Sequence, residues 1–202
     1  MSESKPKKRV NRGFLVSMVL LGVVVLYVAA TQLMLIPQKN ELRKTADSLR
    51  QVFDDIALTS REDAEALRDK TALAAKQKEI EETVAPLFVK DSGYLKPALN
   101  TLMGEISSIA YGDTLIRSQE LVKSKTAKCL INEDTASLSM EYTYKVSGDF
   151  IDYRTEGLVS IQDGKQTVYM TLIFQKSEGD WKLYRVSGLS RDSYDSIREA
   201  AK

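Results

Sequence analysis

The sequence predicts an α+β fold: an N-terminal transmembrane helix and a helical stalk, followed by helices packed on a curled antiparallel sheet of four to five strands. Two observations indicate this class. Apolar residues recur at helical spacing up to about residue 110 and alternate at strand spacing after Gly112. No long connection separates the strands, which excludes parallel crossovers. A run of helices followed by a run of strands is typical of α+β proteins.

The first predicted element is the membrane helix at residues 13–36. This segment has no charged residue and is almost wholly apolar. At about 1.5 Å per residue, a helix of this length crosses a bilayer core of about 30 Å. A cleaved signal peptide is the alternative, with Val28 and Ala30 at its processing site. Because the apolar run continues past Ala30 to Ile36, the sequence favours an uncleaved anchor.

The charge distribution predicts the orientation of this anchor. Residues 1–12 form a tail with five basic residues and one acidic residue. The positive-inside rule therefore places the tail in the cytoplasm and the C-terminal domain outside, in a single-pass protein of the cell membrane. Removing the tail from the chain's 29 basic and 28 acidic residues leaves 24 and 27. Nucleic-acid binders usually have a basic domain, so we expect no nucleic-acid partner.

Residues 37–58 form the predicted stalk. Five apolar residues in it are spaced by four and three positions, which puts them on one helical stripe: Leu42, Ala46, Leu49, Phe53 and Ile56. The stripe is only about two heptads long, whereas sustained coiled coils need three or four. Two interpretations stay open. The favoured one is an amphipathic helix packed on its own domain, and the other is a stalk that self-associates through Leu42, Leu49, Phe53 and Ile56.

Residues 59–202 form the predicted extracytoplasmic domain. Thr59 with Glu62, or Ser60 with Asp63, has the spacing of a capping box, which predicts a helix from there to about residue 83. A third helix follows Pro97, because its apolar residues again step by three and four: Leu99, Leu102, Ile106 and Ile109.

Alternation predicts strands at residues 127–131, 138–146, 153–161, 167–175 and 181–186. A short polar helix is predicted at residues 192–201. In the second strand, Tyr142 and Tyr144 belong to the apolar inward row, while Glu141 and Lys145 belong to the polar row. Gly148-Asp149 is predicted to begin a turn, and Asp163-Gly164 is a hairpin signal.

The last strand contains a Gly-x-Trp-Lys-apolar motif, formed by Gly179, Trp181, Lys182 and Leu183. With the helices and meander of about residues 60–190, it resembles the nuclear transport factor 2-like superfamily, a cone-shaped α+β fold. Membrane-anchored bacterial envelope proteins with this layout resemble inner-membrane scaffold subunits of type IV secretion and conjugation machines. The resemblance implies a cone lined by inward residues of the sheet, here Tyr142, Tyr144, Met170 and Phe174.

Soluble members of that superfamily include isomerases and dehydratases with an Asp base and Tyr or His donors inside the cone. This chain has no His and one Cys, which excludes an internal disulfide and a Cys-rich zinc site. No acidic residue falls on the inward rows of the strands, and adjacent pairs such as Asp54-Asp55 are expected to be solvated because neighbours diverge by about 100° on a helix. We therefore predict no catalytic, cofactor-binding or metal-binding residue.

The predicted function is a membrane-tethered, non-catalytic scaffold or assembly domain of a cell-envelope complex. Its partners would be the lipid bilayer, through residues 13–36, other envelope proteins, and a second copy of itself. A binding module whose cone holds a small apolar ligand or lipid is the alternative. An isomerase or dehydratase is the third hypothesis, although fold analogy alone is a poor guide to function.

Overall fold

The computed structural model describes residues 12–111, 114–152, 154–155, 157–192 and 196–197. It confirms the α+β class. Four helices precede four strands in the described residues, and a short 3-10 turn at Ala85–Leu87 follows the third helix. The elements in chain order are α1 Arg12–Ala57, α2 Arg61–Ala66, α3 Lys70–Val84, α4 Leu95–Ala110, β1 Thr114–Ile131, β2 Thr135–Asp152, β3 Gly157–Ser177 and β4 Asp180–Arg191.

The chain divides into two compact units, residues 1–39 and 40–202. The described part of the first unit is the N-terminal portion of α1, whose large apolar side chains are exposed. Among the described helices, α1 alone is long and apolar enough to cross a membrane, by length and composition. The basic tail at residues 1–11 lies outside the described residues.

The second unit is built on a four-stranded antiparallel meander in the order β1-β2-β3-β4. Along β2, buried and more exposed residues alternate, which confirms the predicted inward row. The same row ends in Asp152, a buried acid, so the expectation that no acidic residue lies on an inward row is wrong there. The residues proposed for self-association, Leu42, Leu49, Phe53 and Ile56, belong to the hydrophobic core of the same chain. Each of the four is at most 2% exposed, which supports the packed-helix interpretation, and self-association through them stays a prediction.

The predicted helix that ends near residue 83 is two helices, α2 and α3. The Ser60 hydroxyl accepts a hydrogen bond from the Asp63 N–H at 3.1 Å, which confirms one of the two proposed caps. A second cap was not predicted. Asp69 Oδ1 accepts hydrogen bonds from the N–H groups of Thr71 and Ala72, and α3 starts directly after it.

The two turns predicted inside the sheet are wrong, because β2 and β3 run through both sites. Instead, the register shifts between Val146 and Gly148, where Val146 pairs with Gly164 and Gly148 pairs with Ile161. Asp163 has a φ of 57°. An Asp-Gly pair suits the left-handed backbone of a bulge inside a strand as well as that of a hairpin turn. The Asp-Gly sequence therefore cannot distinguish a bulge from a turn. The two strands predicted at 153–161 and 167–175 are therefore one strand.

The remaining differences concern the ends of the sheet. β1 begins at Thr114, well before the predicted start at residue 127. The prediction missed this first part because the exposed middle of β1 carries no alternating apolar pattern. Trp181 of the Gly-x-Trp motif is buried, and its backbone N–H donates to Glu41 Oε1 at 2.9 Å, which joins β4 to α1. Tyr153 and most of the predicted helix at 192–201 lie outside the described residues.

Candidate functional site

The four side chains predicted to line a cone all face the helices from the inner side of the sheet. Tyr142, Tyr144, Met170 and Phe174 are at most 1% exposed. They are part of one hydrophobic core with the apolar stripe of α1. An apolar ligand among these four residues would have to displace core packing, which proteins resist strongly.

The two tyrosine hydroxyls reach acidic residues of α1. Tyr142 donates to Asp47 Oδ1 at 3.0 Å, and Tyr144 donates to the two oxygens of Asp54 at 2.8 and 3.0 Å. Arg50 lies between the two acids. It forms an ion pair with Asp54, comes within 3.8 Å of Asp47, and packs 5.6 Å from the centre of the Tyr142 ring. We call these five residues the Asp–Tyr cluster.

The Asp–Tyr cluster contains an acid that the sequence analysis placed in solvent. Asp54 is half-buried, whereas its neighbour Asp55 is exposed. A signal for it exists in the sequence: Asp47, Arg50 and Asp54 are spaced by three and four residues, in a polar stripe beside the apolar one. Polar stripes of this kind are usually solvated, so the spacing alone could not identify the tyrosine partners.

The electrostatics of the Asp–Tyr cluster favour neutral tyrosines. Burial raises the pKa of Asp54 above its usual 3.8, although the hydrogen bond from Tyr144 and the charge of Arg50 oppose the rise. Burial also raises the pKa of Tyr142 and of Tyr144 above the usual 10. The tyrosines therefore act as hydrogen-bond donors at neutral pH, Tyr142 to Asp47 and Tyr144 to both Asp54 oxygens.

The outer face of the sheet carries a shallow groove of about 380 Å³ across β1, β2 and β3. Its lining residues, which we call the basic groove, are Val122, Lys123, Lys125, Glu141, Thr143, Lys165, Thr167 and Tyr169. Strand pairing builds it. Lys125 pairs with Glu141 and Glu141 with Tyr169, while Thr143 pairs with both Lys123 and Thr167 in the neighbouring row.

Two apolar side chains are exposed in the basic groove. A register shift between Leu121 and Lys123 leaves Val122 outside the β1–β2 pairing, and Val122 is 65% exposed. Tyr169 is 45% exposed. The groove has three lysines and one acid. Lys125 is 3.3 Å from Glu141, and neither Lys123 nor Lys165 has an ion pair with any described residue. Exposed apolar side chains with a polar rim are a feature that contact sites share.

Among the described residues, no group of three or more His, Cys, Asp or Glu could hold a metal ion. Comparison with known proteins gives no family: no family model matches the chain, and no curated protein matches it.

The distant likenesses among solved structures include the following two. One is the intermembrane space region of the chloroplast protein ARC6, at 13% identity, over 55% of this chain and 78% of that chain, with a TM-score of 0.33. The other is a putative calcium/calmodulin-dependent protein kinase II association domain from Xanthomonas campestris, at 13% identity, over 65% and 86%, with a TM-score of 0.30. Such low scores carry no functional weight, and the nuclear transport factor 2-like resemblance stays a prediction.

Proposed function

We propose that this chain is a membrane-tethered, non-catalytic interaction domain of the cell envelope, and that the basic groove docks an acidic segment of a partner protein. One observation carries the proposal. An uncovered sheet face combines two lysines that lack ion-pair partners among the described residues, Lys123 and Lys165, with the exposed side chains of Val122 and Tyr169.

The tether is the apolar segment at residues 13–36. Its large apolar side chains are exposed in the chain by itself, and each Å² of apolar surface removed from water stabilises by about 25 cal/mol. A bilayer would cover that surface. The basic tail favours a cytoplasmic N-terminus. A periplasmic-type phosphatase reporter fused after Lys202 should then be active and a cytoplasmic reporter inactive; the reverse pattern would contradict this orientation.

Charge complementarity supports an acidic partner, because the basic groove has three lysines and one acid. Exposed ion pairs contribute only about 0.2–1 kcal/mol each, so lysines alone would not hold a partner. Val122 and Tyr169 supply apolar contact at the same place. The register shifts along β1 interrupt its outer edge, which disfavours addition of a further strand. A segment bound across side chains of the sheet face fits this surface better.

The non-catalytic part of the proposal is supported by the Asp–Tyr cluster. A general base needs an oxygen free to take a proton from a substrate. Both oxygens of Asp54 instead accept from Tyr144, and Arg50 holds the same carboxylate. The raised tyrosine pKa values are also unsuited to proton removal at neutral pH.

Site-specific photocrosslinking in intact cells tests the docking. A photoreactive amino acid replaces Tyr169 in the full-length chain, and mass spectrometry identifies the crosslinked segment. We expect an acidic segment of another envelope protein, and a much lower yield after Lys123→Glu with Lys165→Glu. The matched control, Lys70→Glu with Lys90→Glu, makes the same charge change at exposed positions away from the groove and should keep the yield.

Three results would contradict the proposal. One is a crosslinked segment that is basic or belongs to a second copy of this chain. Another is a yield that both lysine pairs reduce equally, since this would indicate a general effect of charge. The third is tight binding of the basic groove to vesicles of anionic lipid, lost in the Lys123→Glu and Lys165→Glu protein, which would assign these lysines to the membrane surface.

A further inference from the structure

A second cavity, of about 250 Å³, lies at the opposite side of the sheet from the basic groove, between α4 and the ends of the strands. Glu105 and Ser108 of α4, Gln166 of β3, Arg191 of β4 and Asp192 provide its polar wall. None of the residues predicted to line a cone borders it. We call it the Arg191 cavity.

Arg191 contributes a fixed positive charge to this cavity. Its side chain is 15% exposed, and its guanidinium packs 4.5 Å from the centre of the Phe53 ring. Nη2 lies 3.2 Å from Glu105 Oε2 but without hydrogen-bond alignment, and Nε also has no hydrogen-bond partner among the residues that the structure describes. These two N–H groups form one edge of the guanidinium, which suits the two oxygens of a carboxylate.

Gln166 contributes an acceptor that also lacks a partner. The residue is 1% exposed, its Nε2 donates to the Asp192 backbone oxygen at 3.2 Å, and its Oε1 accepts no hydrogen bond from the described residues. Buried polar atoms are rarely left unpaired, and a bound water or ion is one explanation of an unpaired one. Asp192 is held in place, because its Oδ2 accepts from the backbone N–H of Thr167 at 2.8 Å.

The charges around the cavity select the ligand. Arg191 favours an acceptor, while Glu105, Asp192 and the Gln166 oxygen favour a donor or a cation. A simple anion would be attracted by Arg191 but repelled by the two carboxylates. A simple cation would be attracted by the carboxylates but repelled by Arg191. A zwitterion satisfies both sets of groups.

The volume limits the size of the ligand. A water molecule occupies about 30 Å³ in the liquid, so the cavity accommodates roughly eight non-hydrogen atoms. We propose that the Arg191 cavity binds a small α-amino acid, whose carboxylate accepts from Arg191 and whose ammonium group donates to Glu105 and Gln166. A lipid is far too large, so this site differs from the apolar ligand site that the sequence suggested.

Calorimetric titration of the full-length chain in lipid nanodiscs tests this proposal, with L-alanine, L-serine and L-valine as the probes and empty nanodiscs as the blank. We expect saturable binding of at least one of them. Acetate and methylammonium, which each carry half of the zwitterion, should bind at least about tenfold more weakly. Gln166→Met should lower the affinity at least about tenfold, since a hydrogen bond to a charged group is lost.

Ser108→Leu fills the cavity without removing a hydrogen bond of the described residues, and it should abolish binding in a protein whose circular dichroism is unchanged. Lys165→Gln, a change in the basic groove, should leave the affinity unaltered. The proposal is overturned if no probe binds at millimolar concentration, which would mean ordered water only. Acetate binding as tightly as the amino acids, or binding that survives Ser108→Leu, would overturn it as well. None of these outcomes bears on partner docking, because the two sites share no residue.

Discussion

Tyr144 of β2 donates its phenolic hydrogen to both carboxylate oxygens of Asp54 on α1, at 2.8 and 3.0 Å. Tyr142 of β2 donates to Asp47, which lies two helical turns before Asp54 on α1, at 3.0 Å. The two pairs fix the register of α1 on the sheet. They also give polar partners to hydroxyls whose rings are buried in the core, as buried tyrosines require.

Replacing Tyr144 with Phe should lower the free energy of unfolding by about 1–3 kcal/mol, because a half-buried Asp54 carboxylate loses its donor. Urea unfolding of the full-length chain in detergent, followed by the fluorescence of Trp181, measures this. Tyr184→Phe is the matched control, since Tyr184 is an exposed tyrosine of the same sheet. Its effect should stay within about 0.5 kcal/mol. Equal effects of the two substitutions would mean that the Tyr144 hydroxyl contributes nothing.

The pKa of Asp54 predicts a pH dependence of stability. Burial raises this pKa in the folded chain above the usual 3.8, so the folded chain binds the proton more tightly than the unfolded chain. The associated stability is fully present below pH 3.8 and is lost as pH rises through the folded pKa. The stability of the wild type relative to Asp54→Asn should therefore fall as pH rises from 3.8.

Urea unfolding at a series of pH values measures that difference. Asp55→Asn makes the same charge change at an exposed neighbour and serves as the reference. A difference between the wild type and Asp54→Asn that rises with pH over the same interval would show that hydrogen bonding and Arg50 outweigh burial.

Gly148 should not tolerate a side chain. A Cβ at this position would overlap the backbone carbonyl oxygen of Leu115 and lie 3.0 Å from the Ile116 Cα, and neither backbone atom can move freely. Gly148→Ala is therefore expected to cost more than about 1 kcal/mol, as for other overpacked sites. Gly104, inside α4, has open space around it. There Ala should stabilise by about 0.5–1 kcal/mol through helix propensity. Thermal unfolding of both variants measures these changes in stability. Similar changes for Gly148→Ala and Gly104→Ala would refute the close approach at Gly148.

The sequence predicts much of this fold because spacing determines which residues share a face. The steps of four and three from Leu42 to Ile56 predict the stripe of α1, and alternation predicts the inward row of β2. Spacing does not determine which element the apolar stripe of α1 packs against. The same pattern suits a second helix or the chain's own sheet, so the choice between self-association and packing depends on tertiary contacts that the sequence does not display.

The basic groove and the Asp–Tyr cluster were harder to predict for a related reason. Lys123 and Lys165 are 42 positions apart in the chain and become neighbours through two strand pairings, one of which contains an irregularity at Val122. Asp54 appears as an ordinary polar helix residue until Tyr144 is placed opposite it. Local patterns carry no information about such long-range partners.

Trp181 is expected to be a core residue of the last strand. Its ring is buried, so Trp181→Ala should lower the free energy of unfolding by about 3–5 kcal/mol. Because this change removes the fluorescent probe, unfolding is followed by circular dichroism. A loss below about 1 kcal/mol would place the ring at a partner contact instead.

Docking of an acidic partner segment in the basic groove is tested most directly by a charge exchange. Once photocrosslinking at Tyr169 has identified the segment, Lys123→Glu with Lys165→Glu is combined with replacement of the facing acidic residues of that partner by lysine. The measurement is the crosslinking yield of the four combinations. We predict a loss of yield when either side is changed alone and recovery when both are changed. A yield that stays low in the double exchange, or never falls in the single ones, would contradict docking by charge in this groove.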